Sequence, residues 1–307
     1  LGASRSGAVY VFVKEGADWV QQAFIKAPNT DEFDGFGASV ALAGDTLVVG
    51  AFSEDSAAST INGNATDNSS PGAGAAYVYV RSGTTWSFQA YLKASNCGAG
   101  DGFGSVVAIS GDTVLVSALQ EASNARGVNG DQLNNSLSGA GAVYVFTRSG
   151  ASWTQQAYLK ASNSGGLDYF GSAIAISGDT AVIGANYEDS NAAGVNGNQA
   201  NDSLSSSGAA YVFVRTGSAW SQQAYLKASN PGVGDYFGAA VAISGDTIAV
   251  GAQGESSNAR GIGGNQSNND ANDAGAAYLF SRTNGKWTVG SYLKASNTRT
   301  TDSFGDS

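Results

Sequence analysis

Four glutamates recur at one fixed interval, and they are the first candidates for chemistry. They follow one another at a 67-residue interval, as Glu54, Glu121, Glu188 and Glu255. Asparagines keep the same interval at Asn62, Asn129 and Asn196, and aspartates keep it at Asp34, Asp101, Asp168, Asp235 and Asp302. Carboxylate and amide oxygens are the ligands that Ca²⁺ prefers, and they also accept backbone N–H groups in turns. The spacing predicts a ring of carboxylates and amides on one face of a repeated structure.

This ring has two interpretations. In the first, it is a binding face for a sugar, a protein or a divalent cation, with candidate ligand-binding residues Glu54, Glu121, Glu188, Glu255, Asn62, Asn129, Asn196, Asp101, Asp168 and Asp235. In the second, each aspartate accepts backbone N–H groups in a turn, and each glutamate holds its own loop in place. Identical repetition favours the second interpretation. A ligand site usually involves one or two repeats that differ from the others, whereas these residues are the same in nearly every repeat.

The composition excludes several classes of site. The chain has no histidine, which excludes a histidine-based catalytic triad and histidine metal ligands. A net charge of −10 with 15 lysines and arginines argues against nucleic acid or an anionic membrane as a partner. Cys97 is the only cysteine, so an internal disulfide is excluded, and an intermolecular one is the alternative to a chance substitution. We therefore predict no catalytic residues, no metal ligands and no cofactor, with Ca²⁺ as the alternative.

The same 67-residue interval organises the whole chain of 307 residues. Phe-Gly pairs begin at Phe36, Phe103, Phe170, Phe237 and Phe304, and the five tryptophans are Trp19, Trp86, Trp153, Trp220 and Trp287. Within the repeat that begins at Phe103, four β-strands named A to D are predicted at 104–110, 113–118, 142–148 and 153–160. A Gly-Asp turn joins strands A and B, and a polar loop over 119–139 joins strands B and C.

Four-stranded repeats of this size are typical of β-propeller blades. The sequence therefore predicts an all-β protein, a single β-propeller domain over 1–307. Its parts are a partial blade with strands C and D (1–35), full repeats at 36–102, 103–169, 170–236 and 237–303, and the start of another repeat at 304–307. We expect part of a longer, seven-bladed propeller, with five-bladed closure as one alternative and a right-handed β-solenoid as another.

A second motif accompanies the Phe-Gly pairs. It reads Val49-Gly50-Ala51, Ile183-Gly184-Ala185 and Val250-Gly251-Ala252. Together the two motifs resemble the FG-GAP repeat family, the propeller repeats of integrin α-subunit heads and of bacterial secreted proteins. The resemblance implies an extracellular propeller that is used for binding or adhesion. The family's calcium-binding members carry an Asp-rich loop between strands A and B; here a two-residue turn replaces it, so that metal site is not carried over.

Other repeated residues carry weaker signals. Glycosylation sequons lie in the long loops at Asn64, Asn68, Asn134, Asn201 and Asn265. The tryptophans are predicted to cover blade edges, with sugar stacking as the alternative. A lysine ends each strand D, at Lys26, Lys93, Lys160, Lys227 and Lys294, and we expect these lysines to be solvated edge charges.

Three functions fit these observations. The leading hypothesis is a non-catalytic extracellular binding or adhesion module, secreted or on the cell surface, whose long polar B–C loops bind an extracellular protein or a glycan. The second is a structural subunit that self-assembles into a filament or surface layer. The third is a polysaccharide-acting enzyme with paired carboxylates, which is less favoured because no repeat has a carboxylate cluster that the others lack. No membrane insertion is expected.

Overall fold

The computed structural model describes residues 3–307 and shows an all-β protein, as predicted. The first two residues of the predicted partial blade lie outside the described residues. No helix is present over 3–307, and hence none that is long and apolar enough to cross a membrane. The strands form one two-stranded sheet and four four-stranded antiparallel sheets, whose strands pair in chain order.

The bounds of the strands repeat from sheet to sheet. The half-sheet consists of β1 (Val9–Glu15) and β2 (Asp18–Ile25). Sheet 1 consists of β3 (Ser39–Ala43), β4 (Thr46–Ala51), β5 (Ala75–Ser82) and β6 (Thr85–Leu92). Sheet 2 consists of β7 (Phe103–Ser110), β8 (Thr113–Ala118), β9 (Ala142–Ser149) and β10 (Ser152–Leu159). Sheet 3 consists of β11 (Ile174–Ser177), β12 (Thr180–Ala185), β13 (Ala209–Thr216) and β14 (Ala219–Leu226). Sheet 4 consists of β15 (Phe237–Ser244), β16 (Thr247–Ala252), β17 (Ala276–Thr283) and β18 (Lys286–Leu293).

The four strands predicted in the second repeat are confirmed. β7, β8, β9 and β10 each agree with the predicted bounds to within one residue, and a tight turn at Gly111 and Asp112 joins the first two. Gly111 has a φ of 56°, a left-handed conformation that glycine adopts without steric cost. Four-stranded antiparallel sheets with this period are consistent with propeller blades.

The chain divides into two compact units. Unit 1 runs up to Glu121 and includes Val143–Gln156, and unit 2 comprises Ala122–Ala142 and Ala157–Ser307. Within each unit, the Phe of a Phe-Gly pair packs against a tyrosine of a sheet. Phe36 packs edge-on against Tyr77 in unit 1, and Phe237 does the same against Tyr278 in unit 2, with ring centroids 5.3 and 5.4 Å apart. The Phe residues of four Phe-Gly pairs are therefore core residues (Phe36, Phe103, Phe170 and Phe237), whereas Phe304 is 37% exposed.

The glycines of the two sequence motifs meet where neighbouring sheets pack. A Cβ atom added at Gly50 of sheet 1 would lie 2.0 Å from the carbonyl oxygen of Gly104 in sheet 2. In unit 2, a Cβ at Gly184 would lie 2.0 Å from the carbonyl oxygen of Gly238. Only glycine permits so close an approach of two backbones. This steric requirement explains why both motifs contain glycine.

The half-sheet exposes aromatic residues that the full sheets bury. Tyr10 and Trp19 are 56% and 68% exposed, whereas Tyr77 and Trp153, at the corresponding positions of full repeats, are 0% and 6% exposed. The half-sheet has strands C and D only, and the aromatic partner that Phe36 supplies to Tyr77 has no equivalent beside Tyr10 among the described residues. Its rings are therefore left on the surface.

Candidate functional site

The four glutamates are buried within the long loops. Glu54, Glu121, Glu188 and Glu255 are each at most 1% exposed. Three of them pair with an equally buried lysine at the end of strand D. The Nζ–Oε2 distances are 3.1 Å for Lys93–Glu54, 2.8 Å for Lys227–Glu188 and 2.7 Å for Lys294–Glu255. These carboxylates point into the protein, and a ligand on the loop surface would not contact them.

Glu188 illustrates how completely each carboxylate is bonded. Its Oε1 atom accepts hydrogen bonds from the Tyr225 hydroxyl (2.8 Å) and from Asn163 Nδ2 (2.8 Å). Its Oε2 atom accepts from Lys227 Nζ (2.8 Å) and from the backbone N–H of Ser190 (3.2 Å). Asn163 belongs to the linker that precedes sheet 3, so the carboxylate ties the B–C loop to that linker. This supports the interpretation in which each glutamate holds its own loop.

The linker asparagines were not singled out from the sequence, although they recur at the same interval as the glutamates. Each donates from Nδ2 to the Oε1 atom of a glutamate, over 2.8 to 3.0 Å, in the pairs Asn29–Glu54, Asn96–Glu121, Asn163–Glu188 and Asn230–Glu255. The lysines and the glutamates also share this interval and have opposite charges, which was a further signal that they pair. The lysines, the glutamates and the linker asparagines therefore belong to the same kind of buried network, which recurs from repeat to repeat.

The expectation that the strand-D lysines are solvated edge charges is wrong for four of the five. Lys93, Lys160, Lys227 and Lys294 are at most 4% exposed. Burial lowers the pKa of Lys227, because the ammonium loses its hydration, and the carboxylate of Glu188 opposes that decrease. Lys26, in the half-sheet, is half-buried and donates to the carbonyl oxygen of Gly7. The physical reason for the error is that the glutamate partner lies on a distant loop, which local sequence does not reveal.

The predicted aspartates cap the turns before the Phe-Gly pairs. Asp101, Asp168 and Asp235 each accept the backbone N–H of the residue three positions earlier, over 2.7 to 2.9 Å. Burial raises the pKa of Asp168 to about 7 and that of Asp235 to about 6, because desolvation disfavours the carboxylate more than the backbone hydrogen bond favours it. These aspartates therefore have the turn-capping role of the second interpretation.

The predicted asparagines fasten the long loops to strand D. The Oδ1 atoms of Asn62, Asn129 and Asn196 each accept, at 2.9 Å, the backbone N–H of a strand-D tyrosine. All three asparagines have positive φ angles of 54 to 56°, and Gly263 takes the same place in the fourth repeat with a φ of 69°. Asparagine and glycine are the residues that adopt this conformation most readily. The series is thus explained by backbone conformation.

No metal centre emerges from these groups. Across residues 3–307, no cluster of three or more aspartate, glutamate or cysteine side chains converges as metal ligands would. Cys97 is half-buried, with its Sγ atom 3.5 Å from the carbonyl oxygen of Ser56, and burial raises the pKa of its thiol.

A polar cavity in unit 2 was not predicted from the sequence. Its volume is about 450 Å³, and it is lined by Arg126, Ser162, Asn163, Gly197, Asn198, Gln199, Ala200 and Asp202. Arg126 and Asp202 are both exposed and face the same cavity, yet within residues 3–307 neither forms an ion pair. The cavity therefore offers one unpaired cation and one unpaired anion.

The floor of this cavity is held by the buried network. Asn163 donates to Glu188 as described, and its Oδ1 atom accepts the Tyr211 hydroxyl at 2.6 Å. Ser162 Oγ donates to Gln199 Oε1, and Asn198 Oδ1 accepts the backbone N–H of Ala200 at 3.0 Å. These bonds fix the loop that carries Asp202, so the cavity is preorganised.

The charged pair breaks the repeat. The residues at the positions of Arg126 in the other repeats are Ser59, Ala193 and Arg260, and those at the positions of Asp202 are Asn68, Asn135 and Asn269. Of the three facing pairs that can be compared, only Arg126 and Asp202 combine an arginine with an aspartate; the others are Ser59 with Asn135 and Ala193 with Asn269. A comparison of the copies, rather than a search for what they share, would have found the pair.

Comparison with known families assigns the repeats. The model of the FG-GAP repeat matches residues 19–79, 86–146, 153–213 and 220–280. The chain belongs to the FG-GAP repeat family. A search of curated proteins found no match. FG-GAP propellers are generally non-catalytic, which agrees with the structural use of the repeated carboxylates here.

Two further repeated series from the sequence are the tryptophans and the sequon asparagines. Trp153, Trp220 and Trp287 are at most 6% exposed, and an arginine lies over each ring, with Arg148 5.2 Å from the centroid of Trp153. These three rings are therefore buried beneath arginines, whereas Trp19 is 68% exposed, and the covering of blade edges by the tryptophans stays a prediction. Among the sequon asparagines, Asn64, Asn68 and Asn265 are exposed, and Asn134 and Asn201 are half-buried. Glycosylation at these five residues stays a prediction.

Proposed function

We propose that this FG-GAP protein is a non-catalytic binding module that holds a glycan in the polar cavity beside Arg126 and Asp202. The observation that carries the proposal is the pair of opposite charges that line one cavity without pairing with each other. Because neither side chain has an ion-pair partner among the described residues, both charges are available to a ligand in the cavity.

The chemistry of the lining favours a hydroxyl-rich ligand. Arginine only donates hydrogen bonds and an ionised aspartate only accepts them, whereas the amides of Asn198 and Gln199 do both. A sugar ring presents adjacent hydroxyl groups, each of which donates and accepts. One ring can therefore bridge Arg126 and Asp202, and about 450 Å³ lies within the range of small-ligand pockets.

The repeats themselves supply matched variants for the test. Arg126→Ala introduces the residue found at 193, and Asp202→Asn introduces the residue found at 269. Arg260→Ala is the control, since it removes the same charge from the corresponding loop of another repeat. The labelled protein is applied to an array of bacterial, plant and animal glycans, and titration calorimetry with a retained glycan follows.

We expect Arg126→Ala and Asp202→Asn to weaken binding at least tenfold, which is about 1.4 kcal/mol, and Arg260→Ala to leave it unchanged. The absence of any retained glycan would refute the proposal, and so would an equal loss with Arg260→Ala.

We also propose that the protein acts outside the cell, at the cell surface or in secreted form, as an adhesion module without a cofactor. What supports this is the resemblance to secreted repeats and the exposed sequons at Asn64, Asn68 and Asn265. Mass spectrometry of peptides that contain Asn64, Asn68 or Asn265, prepared from the protein isolated from its source, should show masses raised in hexose-sized steps. Chelation with EDTA should change neither the melting temperature nor glycan binding, and a loss of either would indicate the Ca²⁺ alternative.

A second candidate function is self-assembly, as a structural subunit. It is favoured by the near-identical repeats and by the free thiol of Cys97. Light scattering at rising protein concentration tests it. A constant molecular mass would exclude assembly, and a mass that rises with concentration and falls back in Cys97→Ser would support it.

A further inference from the structure

An apolar cavity of about 590 Å³ lies at the loop end of unit 1, between sheets 1 and 2. It is lined by Ala38, Phe52, Ser53, Gly72, Gly100, Gly102, Ser105, Leu119 and Gln120. Phe52 is 42% exposed, and none of the lining residues is charged. The cavity shares no residue with the glycan site, so an inference about it is independent of the proposed function.

Unit 2 contains the corresponding place, and there it holds two tyrosine rings. Tyr187 occupies the position of Ser53 two repeats further along the chain, and Tyr236 occupies that of Gly102. The centroids of the two rings are 5.2 Å apart. The region that is open in unit 1 is thus filled by aromatic side chains in unit 2.

A third copy of this place shows an open cavity where the two tyrosines are missing. One repeat further along, Gly254 and Ser303 take the places of Tyr187 and Tyr236. A cavity of about 330 Å³ is open there, lined in part by Gly254 and Ser303. Of the three places compared, the two without the tyrosine pair are therefore open.

The backbone is the same whether or not a ring is present. Gly102 has a φ of 68°, and Tyr236 has a φ of 54°, also in the left-handed region. Because an L-residue adopts this conformation in one copy, the cavity at Gly102 results from the absent side chain. It does not require a different path of the chain.

The walls of the cavity are suited to an apolar guest. Phe52 and Leu119 form apolar walls in unit 1, whereas Asn186 and Gln253 have their places beside the tyrosine pair. The apolar walls are thus a feature of the cavity in unit 1, because the other open cavity has Gln253 at the position of Phe52 and Asp273 in its lining. Gly72, Gly100 and Gly102 contribute no side chain to the rim, so the main chain of a bound polypeptide can approach closely.

We propose that the Phe52–Leu119 cavity binds an aromatic side chain, tyrosine or phenylalanine, of a partner polypeptide. The inserted ring takes the place that Tyr236 has in unit 2. A buried aromatic side chain removes about 150–250 Å² from water as a general rule, which makes such a ring an anchor for the segment that carries it.

The test uses capped amino acids as probes, with binding followed by NMR of the intact protein. N-acetyl-tyrosinamide and N-acetyl-phenylalaninamide should bind saturably, with a Kd on the order of 1 mM, while N-acetyl-alaninamide should not bind. Gly102→Tyr and Leu119→Gln, which copy residues 236 and 253, should each weaken binding at least tenfold. Ser303→Tyr fills the other cavity and should have no effect.

The melting temperature of each variant shows whether it is folded. Failure of both aromatic amides to bind the native protein would overturn the proposal, and so would unchanged binding in a folded Gly102→Tyr variant. Binding of free p-cresol as tight as that of N-acetyl-tyrosinamide would also overturn it, because the peptide groups would then contribute nothing. Weaker binding of p-cresol would support a polypeptide partner.

Discussion

Replacing Glu188 by glutamine should destabilise the protein strongly, although the two side chains have nearly the same shape. The Oε1 atom accepts hydrogen bonds from Tyr225 and Asn163, and the Oε2 atom accepts from Lys227 and from both the N–H and the hydroxyl group of Ser190. A glutamine amide has one oxygen, so its NH₂ group must face two of these donors. The variant also leaves a buried ammonium without its counter-ion.

The magnitude follows from the burial of the pair. The side chains of Lys227 and Glu188 are 0% and 1% exposed, and their charged atoms are 2.8 Å apart. Breaking a buried ion pair by removing one partner costs about 3–5 kcal/mol. The control is Asp179→Asn, in which the carboxylate is 65% exposed and 2.6 Å from Arg215. An exposed pair contributes at most about 1 kcal/mol.

The assay is urea unfolding followed by tryptophan fluorescence, with the m values compared to confirm that the same surface unfolds. The double variant Glu188→Gln, Lys227→Met should recover part of the loss, since it removes the uncompensated ammonium. A Glu188→Gln effect as small as that of Asp179→Asn would refute the assignment of the glutamates to a structural network.

Two further predictions concern the turns and the contacts between sheets. Asp168 has a pKa of about 7 in the folded protein and 3.8 as its ordinary value, so the stability it contributes is full below about pH 4 and is lost as the pH rises through 7. Asp168→Asn keeps an acceptor for the N–H of Gly165, and it should raise the melting temperature at pH 8 but not at pH 4. Gly50→Ala should cost about 1–3 kcal/mol, because its Cβ would lie 2.0 Å from the Gly104 carbonyl oxygen. Urea unfolding should show little change for Gly166→Ala, whose added Cβ would have no atom nearer than 3.6 Å.

The repeat and its strands could be predicted because their signals are local. The apolar runs of β8 and β9, and the Gly-Asp turn between β7 and β8, need no knowledge of distant parts of the chain. The glycines of the Phe-Gly and Gly-Ala motifs could be recognised from the sequence. The reason why glycine is required there is the close contact between Gly50 and Gly104, which forms only when two sheets pack.

The site residues were harder to predict, because a charge in a sequence does not reveal its partner. The repeat interval identified Glu188 and Lys227 separately, and nothing local indicates that a loop carboxylate turns inward to meet a strand-D ammonium. Periodicity also drew attention to what the repeats share. Arg126, Asp202 and Gly102 are informative because they differ between repeats, and their cavities depend on side chains that come together in three dimensions.

The central claim is that ligand binding occurs where the repeats differ and not at the residues that recur. The most direct test is NMR mapping of backbone amides during titration with a glycan retained on the array. We predict shifts at Arg126 and over residues 197–202, with none over 264–269, the corresponding loop of the next repeat. Equal shifts in both loops, or shifts centred on the buried glutamates, would contradict the account.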